Sequence, residues 1–302
     1  MVIRVVILGS GASIPTVERN LSAVALRFAG DVYLFDCGEG TQRQMMRYKI
    51  SYARVKCIFL THLHPDHVLG ITGLVHTLDF GTERKEPLFI YGPRGTERRM
   101  SELIGAKGAN FVRVQDVDEN FELKEKEFTV RAFPVEHVHG SMGYVFEENE
   151  RRKFDKEKAD KLGIKGRMFS ELEGKGEVKV KGKTIKIEDV TWLKKGKKIV
   201  YTGDAVYGKE TVKASKEADL LIHDATFTEE MREEAEKKRH ATAGDAARVA
   251  KEAKVARLIL THISNRYADA KEIEKLEKEA KKIFANSEVA KDGLEVIIDS
   301  SS

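Results

Sequence analysis

The run Cys57-Ile58-Phe59-Leu60-Thr61-His62-Leu63-His64-Pro65-Asp66-His67 joins an apolar stretch to three imidazoles and one carboxylate within six positions. A short apolar run that stops at a turn reads as a buried strand. Titratable side chains at the mouth of such a strand are costly to bury unless something binds them. Neutral imidazole and carboxylate are the ligands that zinc and related divalent ions take. His62 and His64, two apart in an extended segment, can aim at one point, and Pro65 stiffens the turn that brings in Asp66 and His67.

The pattern returns two hundred residues on, where Leu258-Ile259-Leu260-Thr261-His262 nearly copies Ile58–His62. Between the two, Ile199-Val200-Tyr201 delivers Thr202-Gly203-Asp204, and Leu220-Leu221-Ile222 delivers His223-Asp224-Ala225-Thr226. A fifth expected strand, 128–135, runs into His137 and His139, and their spacing does not separate one from the other. Strand ends bearing His or Asp place those groups along one edge of the sheets, where α/β proteins keep their sites. The first motif together with His137, Asp204 and His262 offers more ligands than one ion uses. Two ions sharing a bridging carboxylate account for the set, and the echo implies two similar halves facing each other across it.

The rest of the chain bounds the reading. Its 302 residues are 41% hydrophobic and 34% charged with 5 prolines, the profile of a folded globular protein. Cys37 and Cys57 have apolar neighbours and read as buried thiols in a reducing, cytoplasmic compartment. Residues 2–8 form a first strand, not a leader, and no apolar run is long enough to span a membrane. Gly9-Ser10-Gly11 after that strand lacks the G-x-G-x-x-G spacing, and Ile14-Pro15 follows where a helix would have to open. Residues 24–28 and 32–35 form a hairpin. Helices are expected over 42–48, 68–78, 96–104, 229–238, 244–254 and 270–284, with a last strand over 294–298. Repeating βα units of this kind build a layered α/β protein with its helices outside the sheets.

Residues 147–198 differ in character, carrying 17 basic and 11 acidic side chains, a surplus of six in a chain whose net charge is +4. Within them, Glu177-Val178-Lys179-Val180-Lys181-Gly182-Lys183-Thr184-Ile185-Lys186-Ile187 reads as a hairpin turning near Gly182, with Val and Ile on one face and Lys on the other. A solvated flap and a polyanion-binding arm both fit this composition.

His62-x-His64-x-Asp66-His67 resembles the signature of the metallo-β-lactamase superfamily. Phe35-Asp36-Cys37-Gly38-Glu39-Gly40-Thr41-Gln42, Gly143-Tyr144, His223-Asp224-Ala225-Thr226, and Thr261-His262-Ile263-Ser264 with Arg266-Tyr267 narrow the resemblance to the ribonuclease Z family, over essentially the whole chain. It implies a four-layered αβ/βα sandwich as a single domain over 1–302, with an inserted, flexible, protruding basic arm over 147–198 serving as a tRNA-binding exosite. It implies two zinc ions per subunit, one held by His62, His64 and His137, the other by Asp66, His67 and His262, with Asp204 bridging; this selects His137 over His139. By the same resemblance a hydroxide shared by the ions attacks the phosphorus 3′ of the discriminator nucleotide of a precursor tRNA. Asp66, His240 and Asp224 are then the catalytic residues: Asp66 handles the water and His240, held by Asp224, protonates the leaving 3′ oxygen. Arg19, Ser264, Arg266, Lys179, Lys181 and Lys183 become candidate substrate contacts, and a homodimer is expected. Asp224 stands where the family more often has Glu, one methylene longer. The alternative is a hydrolase of the same fold acting on small phosphodiesters or thioesters, for which the basic arm would have no purpose.

Overall fold

A computed structural model of the chain describes residues 2–105 and 110–299; positions 1, 106–109 and 300–302 of the expected domain lie outside the described residues. Two compact units emerge, one of Met1–Glu147 with Lys197–Ser302 and one of Glu148–Gly196.

The larger unit holds two seven-stranded sheets. The first uses β1 (Val2–Gly9), β2 (Ala23–Phe28), β3 (Asp31–Phe35), β4 (Val55–Phe59), β5 (Leu88–Gly92) and β6 (Val112–Asp116). The second begins with β7 (Glu122–Lys124), β8 (Phe128–Pro134) and β9 (Met142–Glu148). The smaller unit then contributes β10 (Arg151–Phe154), β11 (Glu177–Val180), β12 (Lys183–Lys186) and β13 (Thr191–Lys194). The chain returns through β14 (Lys198–Tyr201), β15 (Leu220–Asp224), β16 (Leu258–Thr261), β17 (Ser287–Val289) and β18 (Glu295–Asp299). The sheet orders are β18-β1-β2-β3-β4-β5-β6 and β17-β16-β15-β14-β9-β8-β7. β3, β4 and β5 run parallel, as do β14, β15, β16 and β17, so both sheets have an edge at which parallel strands end together.

The apolar runs are continuous because these strands are buried on both faces. On β1, Ile3, Val5 and Ile7 enter a core shared by the two sheets, while Val6 and Leu8 face a second core with the helices Thr41–Arg47, Gly70–Gly81 and Thr96–Ile104. On β16, Ile259 enters the shared core, and Leu258 and Leu260 face a third core lined by the helices Ala243–Ala253 and Ala270–Ile283. Helix, sheet, sheet, helix is the four-layered αβ/βα order that the family resemblance implies. Cys37 and Cys57 are free and buried, and burial pushes both thiols up to about 12.

The helix expected over 68–78 is two pieces, Pro65–Val68 and Gly70–Gly81. Pro65 takes the first helical position, where its missing N–H costs nothing and its fixed φ suits the helix, so Asp66 and His67 sit on a helical first turn. The smaller unit has its own core of Ala159, Ile164, Leu172, Val178, Val180, Ile185 and Val190. Its hairpin turns at Lys181-Gly182, both with positive φ (48° and 80°), the geometry of a two-residue connection. The expected split of its faces is corrected at one position: Lys183 pairs with Val180, on the side of the apolar residues at the hairpin's open tip, whereas Lys179 and Lys186 occupy the other face. No helix of the described residues is long and apolar enough to cross a membrane.

Candidate metal centre

Strand ends of the two sheets gather the seven expected ligands. His62 follows β4, Asp204 follows β14, His262 follows β16, and His137 follows β8 after a short turn. The segment bearing Asp204 passes so close to Thr61 that a Cβ at Gly203 would lie 2.6 Å from that side chain, and its φ of +61° also demands glycine. His262 adopts φ 58°, an uncommon backbone state for a residue with a side chain.

Two clusters result, with Asp204 between them. His64 Nδ1 lies 2.9 Å from His62 Nε2 and 3.3 Å from His137 Nε2, and Asp204 Oδ2 is 3.6 Å from both of those Nε2 atoms. On its other side, Asp204 Oδ1 lies 3.2 Å from both His67 Nε2 and His262 Nε2, while Asp66 Oδ2 is 3.6 and 3.4 Å from the same atoms. Tetrahedral zinc with bonds of about 2.0–2.1 Å keeps its ligand atoms about 3.3 Å apart. The observed spacings bracket that value. His67 Nε2 and Asp204 Oδ1 are also buried with no hydrogen-bond partner, an expensive state that a cation between them removes. His137 is buried in the cluster and His139 is exposed.

The outward faces of the rings are equally specific. His67 Nδ1 donates to Asp36 Oδ2 at 2.7 Å, and His137 Nδ1 donates to the carbonyl of Arg239 at 2.9 Å. Acceptor-only partners put the ring proton on Nδ1 and leave the Nε2 lone pair facing inward, the form a metal binds. His62 Nδ1 and His262 Nδ1 meet the hydroxyls of Thr61 and Thr226 at 3.0 and 2.9 Å. Burial alone would raise the Asp204 carboxyl, but the imidazoles of His262, His67 and His62 outweigh it and hold it well below the usual carboxylate range. Burial acts against Asp66 as well, and the neighbouring His262 and His67 rings hold its carboxyl below the usual range. For His62, burial and the neighbouring His67 act together to hold the ring neutral.

Beside the clusters stands His240, just past the helix Arg232–Lys238. Its Nδ1 lies 2.8 Å from Oδ2 of the fully buried Asp224, so the shorter aspartate still reaches. The His240 ring centroid is 4.7 Å from that of His137 and 5.1 Å from that of His262. Burial works against charging His240, but the charge of Asp224 and its hydrogen bond raise the imidazole to about 9. Asp204, Asp224, His240 and His262 also satisfy the spacing of a metal group, which makes ligation a competing role for His240.

The candidate substrate contacts are dispersed. Arg19 is half-buried, with Nη1 donating to Ser10 Oγ at 2.7 Å and to the Ala290 carbonyl at 2.6 Å. Ser264 is buried next to the centre, and the Arg266 guanidinium lies over the Phe227 ring with Nη2 3.7 Å from Glu234. Lys179, Lys181 and Lys183 are exposed on the smaller unit. Five contributors were not among the expected site residues: Asp36, the Thr61 and Thr226 hydroxyls, the Arg239 carbonyl, and the Ser13 amide, which donates to Asp66 Oδ2 at 2.9 Å. Asp36 had a legible signal, a carboxylate directly after a buried strand like Asp204, whereas a backbone carbonyl or amide leaves none.

The sequence profile of the beta-lactamase superfamily domain matches residues 32–154 and 184–263. Ribonuclease Z of Methanosarcina acetivorans is 44% identical over 98% of this chain and 98% of its own length, and that of Archaeoglobus fulgidus 44% identical over the whole of both. The crystal structure of human tRNase Z, short form, superimposes with a TM-score of 0.65 at 30% identity, covering 97% of this chain and 98% of that one. The metallo-beta-lactamase fold protein YhfI of Bacillus subtilis, 20% identical with a TM-score of 0.71 over 98% of this chain and 99% of its own, shares the fold.

Proposed function

Because the chain belongs to the ribonuclease Z family of hydrolytic endoribonucleases, we propose that it removes the 3′ trailer of precursor tRNA by cutting 3′ of the discriminator nucleotide, using two zinc ions. The observation that carries the reading is Asp204, whose two oxygens face two separate groups of imidazoles at distances of 3.2–3.6 Å. His62, His64 and His137 would hold one ion, Asp66, His67 and His262 the other, and Asp204 both. Bound there, a pair of divalent cations supplies a water ionised near neutral pH and positive charge for displacement at phosphorus.

The chain's own groups do the rest. Asp66, kept ionised and fixed by the Ser13 amide, orients the attacking water and takes its proton. His240, charged and aimed by Asp224, gives a proton to the departing 3′ oxygen. The products are tRNA ending in a 3′-hydroxyl and a trailer beginning with a 5′-phosphate. Ser264, Arg266 and Arg19 flank the cut, and the unit Glu148–Gly196 serves as the arm that grips tRNA, its exposed lysines Lys179, Lys181 and Lys183 contacting phosphates without reading sequence. The working form is a cytoplasmic homodimer.

The test is incubation of the purified protein with a 3′-extended precursor tRNA, with and without chelator, and analysis of both new termini. A metal-dependent cut after the discriminator is expected. No cut under zinc-replete conditions, alongside turnover of a small phosphodiester, would transfer the protein to the alternative substrate class.

A further inference from the structure

We propose that Thr226 is a positioning residue, a hydroxyl that fixes the His262 ring from the same Asp224 carboxylate that holds His240. This rests on the two-cation reading above and assigns to a buried threonine the task of preparing one ligand for its ion.

Thr226 Oγ1 lies 2.7 Å from Asp224 Oδ1 and 2.9 Å from His262 Nδ1. A hydroxyl has one proton, and a carboxylate can only accept, so the short contact with Asp224 consumes it. The hydroxyl oxygen must then accept from His262, which puts the imidazole proton on Nδ1 and leaves the Nε2 lone pair facing Asp204 Oδ1 and Asp66 Oδ2. Without such a partner the ring would be free to carry its proton on Nε2, aimed at those oxygens, and could not bind a cation. The positive φ of His262 gives the ring an unusual point of departure, which increases the need for an anchor at its far side.

The other half of the centre has the same device. Thr61 Oγ1 lies 2.9 Å from Asp36 Oδ2 and 3.0 Å from His62 Nδ1, so there too a strand-end carboxylate directs a threonine that directs a histidine. Asp36 also accepts from His67, within the metal cluster, and from the Tyr201 hydroxyl. Asp224 accepts from His240 as well, so one carboxylate aims a cation ligand through Oδ1 and the candidate acid through Oδ2. Ala205 and Thr226 amides, at 3.1 and 2.8 Å, hold that carboxylate still.

The experiment compares the full-length wild type with Thr226→Val and Thr226→Ser by two readouts. In the first, chelator-stripped protein is titrated with zinc against a competing chelator. Valine keeps the shape and removes the hydroxyl, and loss of an outer partner of this kind costs about 10–100-fold in metal affinity. One of two zinc equivalents should weaken by that factor in Thr226→Val, while Thr226→Ser binds like wild type. Unchanged binding of both equivalents in Thr226→Val, or equal loss in Thr226→Ser, overturns the proposal. The second readout is the imidazole nitrogen spectrum of metal-free protein labelled at histidine. His262 should carry its proton on Nδ1 in wild type and Thr226→Ser and lose that preference in Thr226→Val. The opposite tautomer in wild type overturns the proposal even if the valine variant does not fold. Failure of the wild type to bind zinc would defeat the two-cation reading instead, and the tautomer would still decide the role of Thr226.

Discussion

Replacing His240 with Ala removes a ring whose hydrogen bond runs to Asp224 and which makes none to the seven expected ligands. A general acid in reach of a leaving oxygen contributes about 10²–10⁴ in rate, and at 1.36 kcal/mol per decade that is about 2.7–5.4 kcal/mol of transition-state stabilisation. The loss should appear only when the leaving group needs a proton. An alkoxide such as the ribose 3′ oxygen needs one; a nitrophenolate does not. Single-turnover cleavage of a precursor tRNA at saturating zinc should therefore slow by about 10²–10⁴, while bis(p-nitrophenyl) phosphate turnover falls less than about tenfold. Zinc content should stay at two equivalents. Equal losses on both substrates would refute the acid role, and a lost equivalent would place His240 in the alternative ligand group with Asp204, Asp224 and His262.

The protonated state of His240 is the useful one, and its raised value of about 9 means that the acid is present below that pH and disappears as pH rises through it. Cations bound beside the ring repel the imidazolium, so about 9 is an upper limit for the alkaline limb of the pH–rate profile, and Asp224→Asn, which removes the charge sustaining it, should move the limb to lower pH; an unmoved limb assigns it to another group. Asp66→Asn should cost more activity at saturating zinc than its loss of zinc affinity explains, because the amide cannot take a proton from water; proportionate losses would reduce Asp66 to a ligand. Deleting residues 155–188 should weaken precursor tRNA cleavage, spare a small phosphodiester, and flatten the salt dependence of tRNA binding. Equal loss on both substrates would make the smaller unit structural.

The strands that position the centre were legible because burial on two faces demands apolar runs, such as Val5–Leu8 in β1, Cys57–Phe59 in β4 and Leu258–Leu260 in β16. The strands that escaped notice are short or carry charge toward solvent: β6 exposes Arg113 and Gln115, and β7 and β17 span three residues each. The residues that gather at the centre could be read as candidates from strand-end positions, and their number pointed to two cations, whereas the division of the motif between those cations came from the family resemblance. The different placement of His137 and His139 could not be read, because it depends on the chain leaving the strand at Pro134 and turning before His137. Thr226 and His262 stand 36 positions apart and meet only because β15 and β16 are neighbours. Arg239 works through its carbonyl, which no residue identity announces.

Asp204 is proposed to bridge two cations, and zinc-edge anomalous diffraction from crystals of the zinc-loaded protein tests that role most directly. Two peaks per chain about 3.5–4 Å apart are predicted, one beside His62, His64 and His137, the other beside Asp66, His67 and His262, with the Asp204 carboxylate between them. A single peak, or a second peak centred on Asp224 and His240, would contradict it.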